Sequence, residues 1–308
     1  MNSELTAARS PNLKKSRLYK RYDYSGYAMI APGYLIYFLF VMIPLLIGCY
    51  YSFTNYNFYK TKDFVGLSNY ALLMKDTLFW KSMGNTFVYA AGTIVPQLII
   101  GLLFAALLNM SIRGRVFARA SIYLPNVLSM VAVSMIWLWI YEPSLGIANR
   151  FLETLGFGKV QWLFNPSTAM LSIILMSIWK SVGYNMIVYL AGLQSIPASL
   201  YEAAELDGAS KLQQFLHVTI PMLRPTTFFL FVTACVNSFT VFEQVNIMTN
   251  GGPLNSTTTI VHQIYLRGFQ DFRMGYASAM AMVLMLVVLG ITILNFRFGK
   301  QGNDTDMD

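Results

Sequence analysis

Long apolar segments alternate with short polar segments along the whole of this 308-residue chain. Four of the apolar segments contain no Asp, Glu, Lys or Arg, and two others contain one charge each, Lys180 and Glu243. A helix of about 20 apolar residues is long enough to cross a hydrocarbon core. The pattern therefore predicts an all-α, polytopic membrane protein with six transmembrane helices. The predicted spans are residues 28–50, 86–108, 120–141, 168–193, 226–246 and 276–296.

The polar segments set the orientation of these spans. Residues 1–27 carry six Lys and Arg residues just before the first span, where basic residues have most influence on topology. With the N-terminus inside, the inner segments hold 13 Lys and Arg residues and the outer segments hold 8. We therefore predict that both termini are cytoplasmic. The predicted organisation is a basic tail (1–27), a transmembrane domain (28–298) and a second tail (299–308).

Composition and motifs narrow the class of function. A chain that is 56% hydrophobic and 12% charged is not an ordinary soluble domain, and topology accounts for its net charge of +8 without nucleic acid. The sequence has no P-loop, no His-Glu-x-x-His motif and no nucleophile elbow. We predict no catalytic residue and no metal site, and we expect His262 on the outer surface.

The polar segment 194–225 has helix signals of its own. Pro197 suits the first turn of a helix, and Asp207-Gly208 reads as a stop followed by a turn. Ser210 with Gln213 three residues later indicates a capping box, which opens a second helix expected to end before Pro221. The segment is predicted to form two short amphipathic helices, hinged at glycine and held outside the bilayer.

The same segment resembles the EAA loop of binding-protein-dependent ABC importer permeases. The resemblance is carried by Glu202-Ala203-Ala204-x-x-Asp207-Gly208-Ala209, then Phe215 and Ile220-Pro221. Tyr201, Leu206 and Ile196-Pro197 fit the carbohydrate-importing branch, the relatives of the maltose permease. The resemblance runs from about residue 28 to about residue 298.

This resemblance implies a type I ABC importer permease fold and a set of partners. The partners would be a second homologous permease, two ABC ATPase subunits that hold ATP and Mg, and an extracellular solute-binding protein. The chain itself would hold no cofactor and would not be an enzyme. It would lie among the lipids of the inner, or cytoplasmic, membrane of a bacterium or archaeon.

In the family, the EAA loop is the coupling helix that sits in a cleft of the ATPase. Glu202 would meet basic residues there, and Gly208 would allow the bend. Composition alone leaves a second interpretation open, in which Glu202, Glu205 and Asp207 form a solvated helix face. The predicted ATPase-coupling residues are Glu202, Ala203, Ala204, Asp207, Gly208 and Phe215.

Polar residues also recur at helical spacing inside two spans, those that flank the EAA loop. The fourth span has Ser177, Ser181 and Tyr184, with Lys180 and Asn185 beside them. The fifth span has Thr233, Asn237, Thr240 and Gln244, with Ser238 adjacent. Such stripes indicate either a hydrated transport chamber or hydrogen bonding between packed helices. The predicted substrate path consists of Tyr184, Asn237, Ser181, Ser177, Ser238 and Lys180.

The resemblance bears on this path and on one outer loop. Family sugar-contacting positions fall on Ser177, Ser181, Tyr184, Asn237, Ser238 and Val241, and only Tyr184 keeps the residue type of the maltose permease. Lys180 either has a structural or cavity-lining role, with Glu243 as a candidate partner, or recognises an anionic ligand. Gly251-Gly252-Pro253 matches a family pattern that faces the binding protein, although it is equally typical of a tight turn.

The sequence therefore predicts a permease subunit that forms the membrane pathway for sugar or oligosaccharide uptake. One alternative is the same architecture importing glycerol-3-phosphate or another polar solute. Another is a stand-alone secondary transporter, for which a single intramembrane lysine and a single acid offer little ion coupling.

Overall fold

The computed structural model describes residues 18–59, 62–111 and 113–300. The first 17 residues of the predicted N-terminal tail and residues 301–308 of the predicted C-terminal tail lie outside this part. The described residues are helical except for loops and one isolated antiparallel bridge, Thr54 to Phe64. The chain divides into two compact units, residues 1–50 and 51–308.

The described residues of the first unit form one long helical segment. Helix α1 (Leu18–Tyr37) continues through a π-helical turn (Phe38–Met42) into α2 (Ile43–Ser52). The helix thus starts ten residues before the predicted span. Pro44, which lacks the N–H that an uninterrupted α-helix would use, lies in α2 two residues after the end of the π-helical turn.

The second unit contains the remaining helices, numbered in chain order. They are α3 (Ser68–Lys75), α4 (Thr77–Asn109), α5 (Arg115–Val127), α6 (Met130–Ile140), α7 (Ile147–Thr154), α8 (Ala169–Gln194), α9 (Ala198–Leu206), α10 (Lys211–Gln214), α11 (Ile220–Met222), α12 (Arg224–Phe239), α13 (Glu243–Met248), α14 (Ile260–Tyr265) and α15 (Met274–Lys300). Two further π-helical turns are Phe215–Thr219 and Leu266–Gln270.

Helix α8 lies at the centre of the second unit and packs against α4 and α5. Close backbone approach makes this packing possible. A Cβ atom on Gly101 of α4 would lie 2.6 Å from the Cβ of Asn185, and one on Gly183 of α8 would lie 2.7 Å from the Cα of Tyr123. Met186 and Tyr189 of α8 are among the most completely buried side chains, so α8 contributes to the hydrophobic core of the unit.

Four of the described helical segments are long and apolar enough to cross a membrane: Gly26–Ser52, Thr77–Asn109, Ala169–Gln194 and Met274–Arg297. Two bent helix pairs raise this number to as many as six if each pair counts as one span. The first pair is α5 with α6, bent by 100°, and the second is Lys211–Met222 with α12, bent by 62°.

The predicted third span, 120–141, is not one continuous helix. The helix stops at Val127 and restarts at Met130. Leu128 and Ser129 have extended backbone, and the Ser129 hydroxyl accepts a hydrogen bond from the amide of Ala132 as the N-cap of α6. Because Pro125 also lacks an amide hydrogen, the sequence offers both an end for α5 and a start for α6.

The fifth span, predicted as 226–246, is also interrupted. Helix α12 ends at Phe239 and α13 begins at Glu243. The Thr240 hydroxyl hydrogen-bonds to the carbonyl oxygens of Val236 at 3.0 Å and Asn237 at 3.2 Å, so it occupies carbonyl groups in the last turn of α12. Phe242, with a φ of −142°, takes the chain out of helical geometry.

Partly buried polar contacts join the segment before α4 to α15. The Asp76 carboxylate is the N-cap of α4, accepting from the Leu78 amide at 2.8 Å, and it also accepts a hydrogen bond from the Tyr276 hydroxyl at 2.7 Å. Burial would raise the pKa of Asp76, but the Tyr276 hydroxyl and the backbone amides outweigh this and lower it below its ordinary value. Asp76 thus links the start of α4 to α15.

His262 is not on the surface, which corrects the expectation from sequence. Its side chain is 1% exposed, and its ring nitrogens lie 3.2 Å from Thr258 Oγ1 and 3.3 Å from Asn250 Oδ1. The ring also lies beside Phe242. Burial lowers the pKa of His262, which favours the neutral imidazole that this hydrogen-bonded position accommodates.

Candidate functional site

A cavity of about 580 Å³ lies among α4, α5, α8 and α12. The six residues predicted for the substrate path all line it, although they come from two helices separated by the EAA loop. They are Ser177, Lys180, Ser181 and Tyr184 of α8, and Asn237 and Ser238 of α12. A third polar stripe, which the sequence interpretation missed, also lines it: Tyr89, Thr93 and Gln97 of α4, spaced four residues apart. The spacing of four residues inside an apolar span could have revealed this stripe from the sequence.

Several polar groups of the cavity wall form hydrogen bonds within the protein. Ser177 Oγ donates to the Ile173 carbonyl oxygen at 2.8 Å, and Gln244 donates to the Tyr89 hydroxyl at 2.8 Å. The hydroxyl groups of Thr93 and Ser238 are 3.2 Å apart. The Gln244–Tyr89 and Thr93–Ser238 contacts join α4 to α13 and to α12, so part of the predicted polar stripe serves helix packing.

Other polar groups in the wall have no hydrogen-bond partner among the described side chains and backbone. They are the side chains of Gln97, Asn126, Ser181, Tyr184 and Asn237. These amides and hydroxyls can donate and accept, which matches the hydroxyl groups of a sugar, and the Tyr184 ring adds an apolar face. The cavity can therefore bind a hydroxyl-rich solute.

The ammonium group of Lys180 is fully hydrogen-bonded to the backbone at the break between α5 and α6. Its ammonium group donates three hydrogen bonds, to the carbonyl oxygens of Pro125 at 3.1 Å, Asn126 at 3.2 Å and Leu128 at 2.6 Å. Carbonyl groups at a helix C-terminus lack intrahelical partners and carry partial negative charge, which a cation stabilises. Lys180 thus provides hydrogen-bond donors for the carbonyl groups at the C-terminal end of α5.

The EAA loop forms a helical hairpin, which we call the coupling hairpin (residues 197–222). The predicted turn is present: Gly208 has a φ of +80°, and a Cβ atom there would meet nothing within 4 Å. The predicted capping box is present too, with reciprocal bonds between Ser210 and Gln213. A hydrogen bond of 2.9 Å between the hydroxyls of Tyr201 and Thr219 ties the two arms together.

The second arm of the coupling hairpin extends further than predicted. It was expected to end before Pro221, but helical structure continues to Met222. The π-helical turn Phe215–Thr219 explains the difference, because the Ile220 amide bonds back to the Phe215 carbonyl oxygen. This wider turn accommodates a proline that has no amide hydrogen to contribute.

Most of the predicted coupling residues are exposed on this hairpin. Glu202, Ala203, Asp207 and Gly208 are exposed, whereas Ala204 and Phe215 are half-buried. The two glutamates differ in their surroundings. Glu205 lies 3.9 Å from Lys211 in an exposed ion pair, whereas the Glu202 carboxylate has no ion pair or hydrogen bond with the described residues. A shallow cavity of about 280 Å³ on the hairpin is lined by residues that include Ala204, Gly208 and His217.

The motif Gly251-Gly252-Pro253 sits in a tightly held loop. Gly251 is buried with a φ of +79°, and a Cβ atom there would lie 2.8 Å from the His262 ring. Lys81 and Asn85 of α4 hold the loop by hydrogen bonds to backbone carbonyl oxygens at 2.7–3.1 Å. Gly252 and Pro253 are half-buried, and the adjacent Leu254 is 80% exposed at the tip. The motif therefore shapes a loop that presents Leu254.

Known protein families and individual proteins are similar to this chain in sequence. Residues 97–300 match the family model described as "Binding-protein-dependent transport system inner membrane component". The multiple sugar-binding transport system permease protein MsmF of Streptococcus mutans serotype c is 35% identical, covering 90% of this chain and 96% of its own length. The sn-glycerol-3-phosphate transport system permease protein UgpA of Yersinia pestis is 33% identical, with coverage of 88% and 92%.

Solved structures agree with this family. A bacterial ABC transporter involved in the import of the acidic polysaccharide alginate contains a chain with a TM-score of 0.82 to this one, at 27% identity. The match covers 93% of this chain and 99% of that chain. The alginate transporter in complex with its alginate pentasaccharide-bound periplasmic protein gives a TM-score of 0.81 at 28% identity.

Proposed function

This chain belongs to the family of binding-protein-dependent transport system inner membrane components, and we propose that it forms part of the membrane pathway through which an ABC importer takes up a sugar or oligosaccharide. It is a permease subunit and not itself an enzyme. MsmF is named for a multiple sugar-binding transport system, and the transporter of similar fold is named for the import of the acidic polysaccharide alginate. A phosphorylated polyol, as named for UgpA, is the alternative substrate.

One observation carries this proposal: the cavity wall and the coupling hairpin are consecutive parts of the same chain. Helix α8 lines the cavity and runs to Gln194, the hairpin follows, and α12 returns to line the cavity again. Movement of the hairpin by a partner would therefore move two walls of the cavity. Alternating access requires this kind of mechanical link between an energy source and a binding chamber.

Membership of this family supports a proposal for the full assembly. A solute-binding protein would deliver the solute at the outer loops near Leu254, and a second permease would complete the pathway. Two ATPase subunits would receive the coupling hairpins, bind ATP and Mg, and drive the transition. We place both termini in the cytoplasm, with α5 and α6 counted together as one crossing and the α12 segment as another, so that the chain crosses an inner or cytoplasmic membrane six times.

An uptake assay on the reconstituted complete transporter tests the role of the cavity. Asn237→Leu removes an amide that has no partner among the described residues, so folding should persist. Uptake of the solute carried by the cognate binding protein should fall by about tenfold or more, because a buried hydroxyl of the solute loses its partner. Wild-type uptake should also require ATP inside the liposomes.

Thr233→Val provides the matched control. Thr233 lines the same cavity, but its hydroxyl bonds to the Phe229 carbonyl oxygen of its own helix at 2.9 Å. Uptake by the Thr233→Val transporter should stay within about threefold of wild type, since a helix tolerates the loss of a hydrogen bond from a side-chain hydroxyl to its own backbone. Unchanged uptake in the Asn237 variant would contradict the cavity's role, and uptake that persists after ATP depletion would indicate a secondary transporter.

A further inference from the structure

We propose that the cavity selects an uncharged, hydroxyl-rich solute and disfavours anionic ones, with Glu243 as the residue that sets this preference. The inference rests on the proposed function, since it concerns the same cavity, and it goes further by choosing between the neutral and the acidic solutes that relatives of this chain are named for. It follows from how the charges of the cavity wall are used.

Two charged side chains occur among the described residues that line the cavity, Lys180 and Glu243. The positive charge is not available to a solute. Lys180 is 9% exposed, and the three hydrogens of its ammonium group are matched by three carbonyl oxygens at 2.6–3.2 Å. An anion could recruit Lys180 only by breaking the contacts that hold the end of α5.

The negative charge is available. Glu243 is exposed at the cavity, at the start of α13, and its carboxylate makes no hydrogen bond or ion pair with the side chains and backbone that the structure describes. The ion pairs among the described residues do not include one between Glu243 and Lys180. The accessible charge of the cavity is therefore a carboxylate, and a partly enclosed wall focuses its field.

The remaining uncommitted groups are neutral. Ser181, Tyr184 and Asn237 supply hydroxyl and amide groups, and Glu243 supplies two acceptor oxygens for hydroxyl donors. A phosphate or uronate would instead need Lys or Arg donors, and it would meet the like charge of Glu243. The helix break at Thr240–Phe242 changes the direction of the chain, and Glu243 at the start of α13 lines the cavity. The interruption of the fifth span therefore contributes to the proposed selectivity.

Thiol labelling measures this charge without knowledge of the substrate. Asn237→Cys is introduced into a Cys49→Ser, Cys235→Ala background and assembled in the complete transporter. Rates are measured with a trimethylammonium-ethyl and a sulfonatoethyl methanethiosulfonate, which are similar in size and opposite in charge. The ratio of cationic to anionic rates should exceed the ratio for 2-mercaptoethanol in solution by on the order of tenfold.

Two further variants assign the charge. Glu243→Gln should bring the ratio to within about threefold of that for 2-mercaptoethanol, because the accessible carboxylate is gone. Lys180→Met should leave the preference for the cationic reagent in place. A ratio at or below that of 2-mercaptoethanol in the Asn237→Cys protein, or an unchanged ratio after Glu243→Gln, would overturn the proposal, as would an anion preference that disappears in Lys180→Met.

The labelling experiment separates this proposal from the function on which it rests. If both reagents reach the introduced thiol without charge preference, the hydrated chamber stands and the charge selectivity fails. If neither reagent reaches that thiol in any nucleotide state, while both label a Leu254→Cys protein, the chamber itself is refuted. If the cationic reagent is preferred and Glu243→Gln removes the preference, the proposal is supported.

Discussion

Replacing Glu202 by Lys is expected to reduce stimulated ATP hydrolysis and solute uptake by at least about 30-fold, while the protein still inserts into the membrane. Glu202 is exposed on α9 and has no ion pair or hydrogen bond with the described residues, so its carboxylate is available to a partner. Reversing a charge that meets basic residues costs about 2 kcal/mol or more at an interface. The measurement is ATPase activity and uptake in liposomes that contain the complete transporter.

Glu205→Lys is the matched control on the same helix. Glu205 is exposed as well, but it faces Lys211 at 3.9 Å, and an exposed pair of this kind contributes little. Its substitution should change stimulated ATP hydrolysis by less than about threefold. Equal losses in the two variants would assign the effect to the net charge of the hairpin, and normal coupling in Glu202→Lys would contradict the role of Glu202.

Gly183→Ala is expected to lower the stability of the whole second unit. The Cβ atom would be placed against the backbone of α5, within 2.7 Å of the Tyr123 Cα and closer still to the Ile122 carbonyl oxygen. Backbone cannot move aside as a flexible side chain can, so overpacking here costs about 1–3 kcal/mol or more. Thermal unfolding of the detergent-solubilised protein, followed by size-exclusion chromatography, should show a Tm several degrees below wild type.

Gly290→Ala gives the control for helix propensity. Gly290 also lies inside a long helix, α15, but a Cβ atom there would meet nothing within 4 Å. Alanine favours the helix over glycine, so the Tm should be unchanged or slightly raised. A Gly183 variant as stable as the Gly290 variant would show that α8 and α5 can separate at no cost.

The elements that the sequence predicted well are those whose signals are local. Each of the four charge-free apolar segments falls wholly or mainly in helix, because a segment of that length and composition needs no tertiary information. The hairpin was equally accessible, since the capping pair Ser210–Gln213 and the left-handed Gly208 are set by residues close in sequence. The cavity-facing side of α8 and α12 followed from helical spacing.

The features that sequence did not reveal depend on contacts between distant residues. Pro125 and Ser129 are local signals for the break after Val127, but the contact with Lys180 that stabilises it lies about fifty residues away, and no local pattern reveals that contact. His262 is a polar residue in an outer segment, and its burial depends on Asn250 and Thr258 folding around it. The substrate and coupling roles assigned to individual residues remain predictions, because they concern molecules that this chain must meet.

The central claim is that the coupling hairpin is held by a separate nucleotide-hydrolysing protein on the cytoplasmic side. Site-specific photo-cross-linking from position 202, in membranes that contain the complete transporter, tests it most directly. The account predicts capture of the ATPase subunit, whereas a photo-cross-linker at Leu254 should capture the solute-binding protein instead. Efficient insertion of the photo-cross-linker without capture of an ATPase, or labelling of position 202 from the cell exterior, would contradict it.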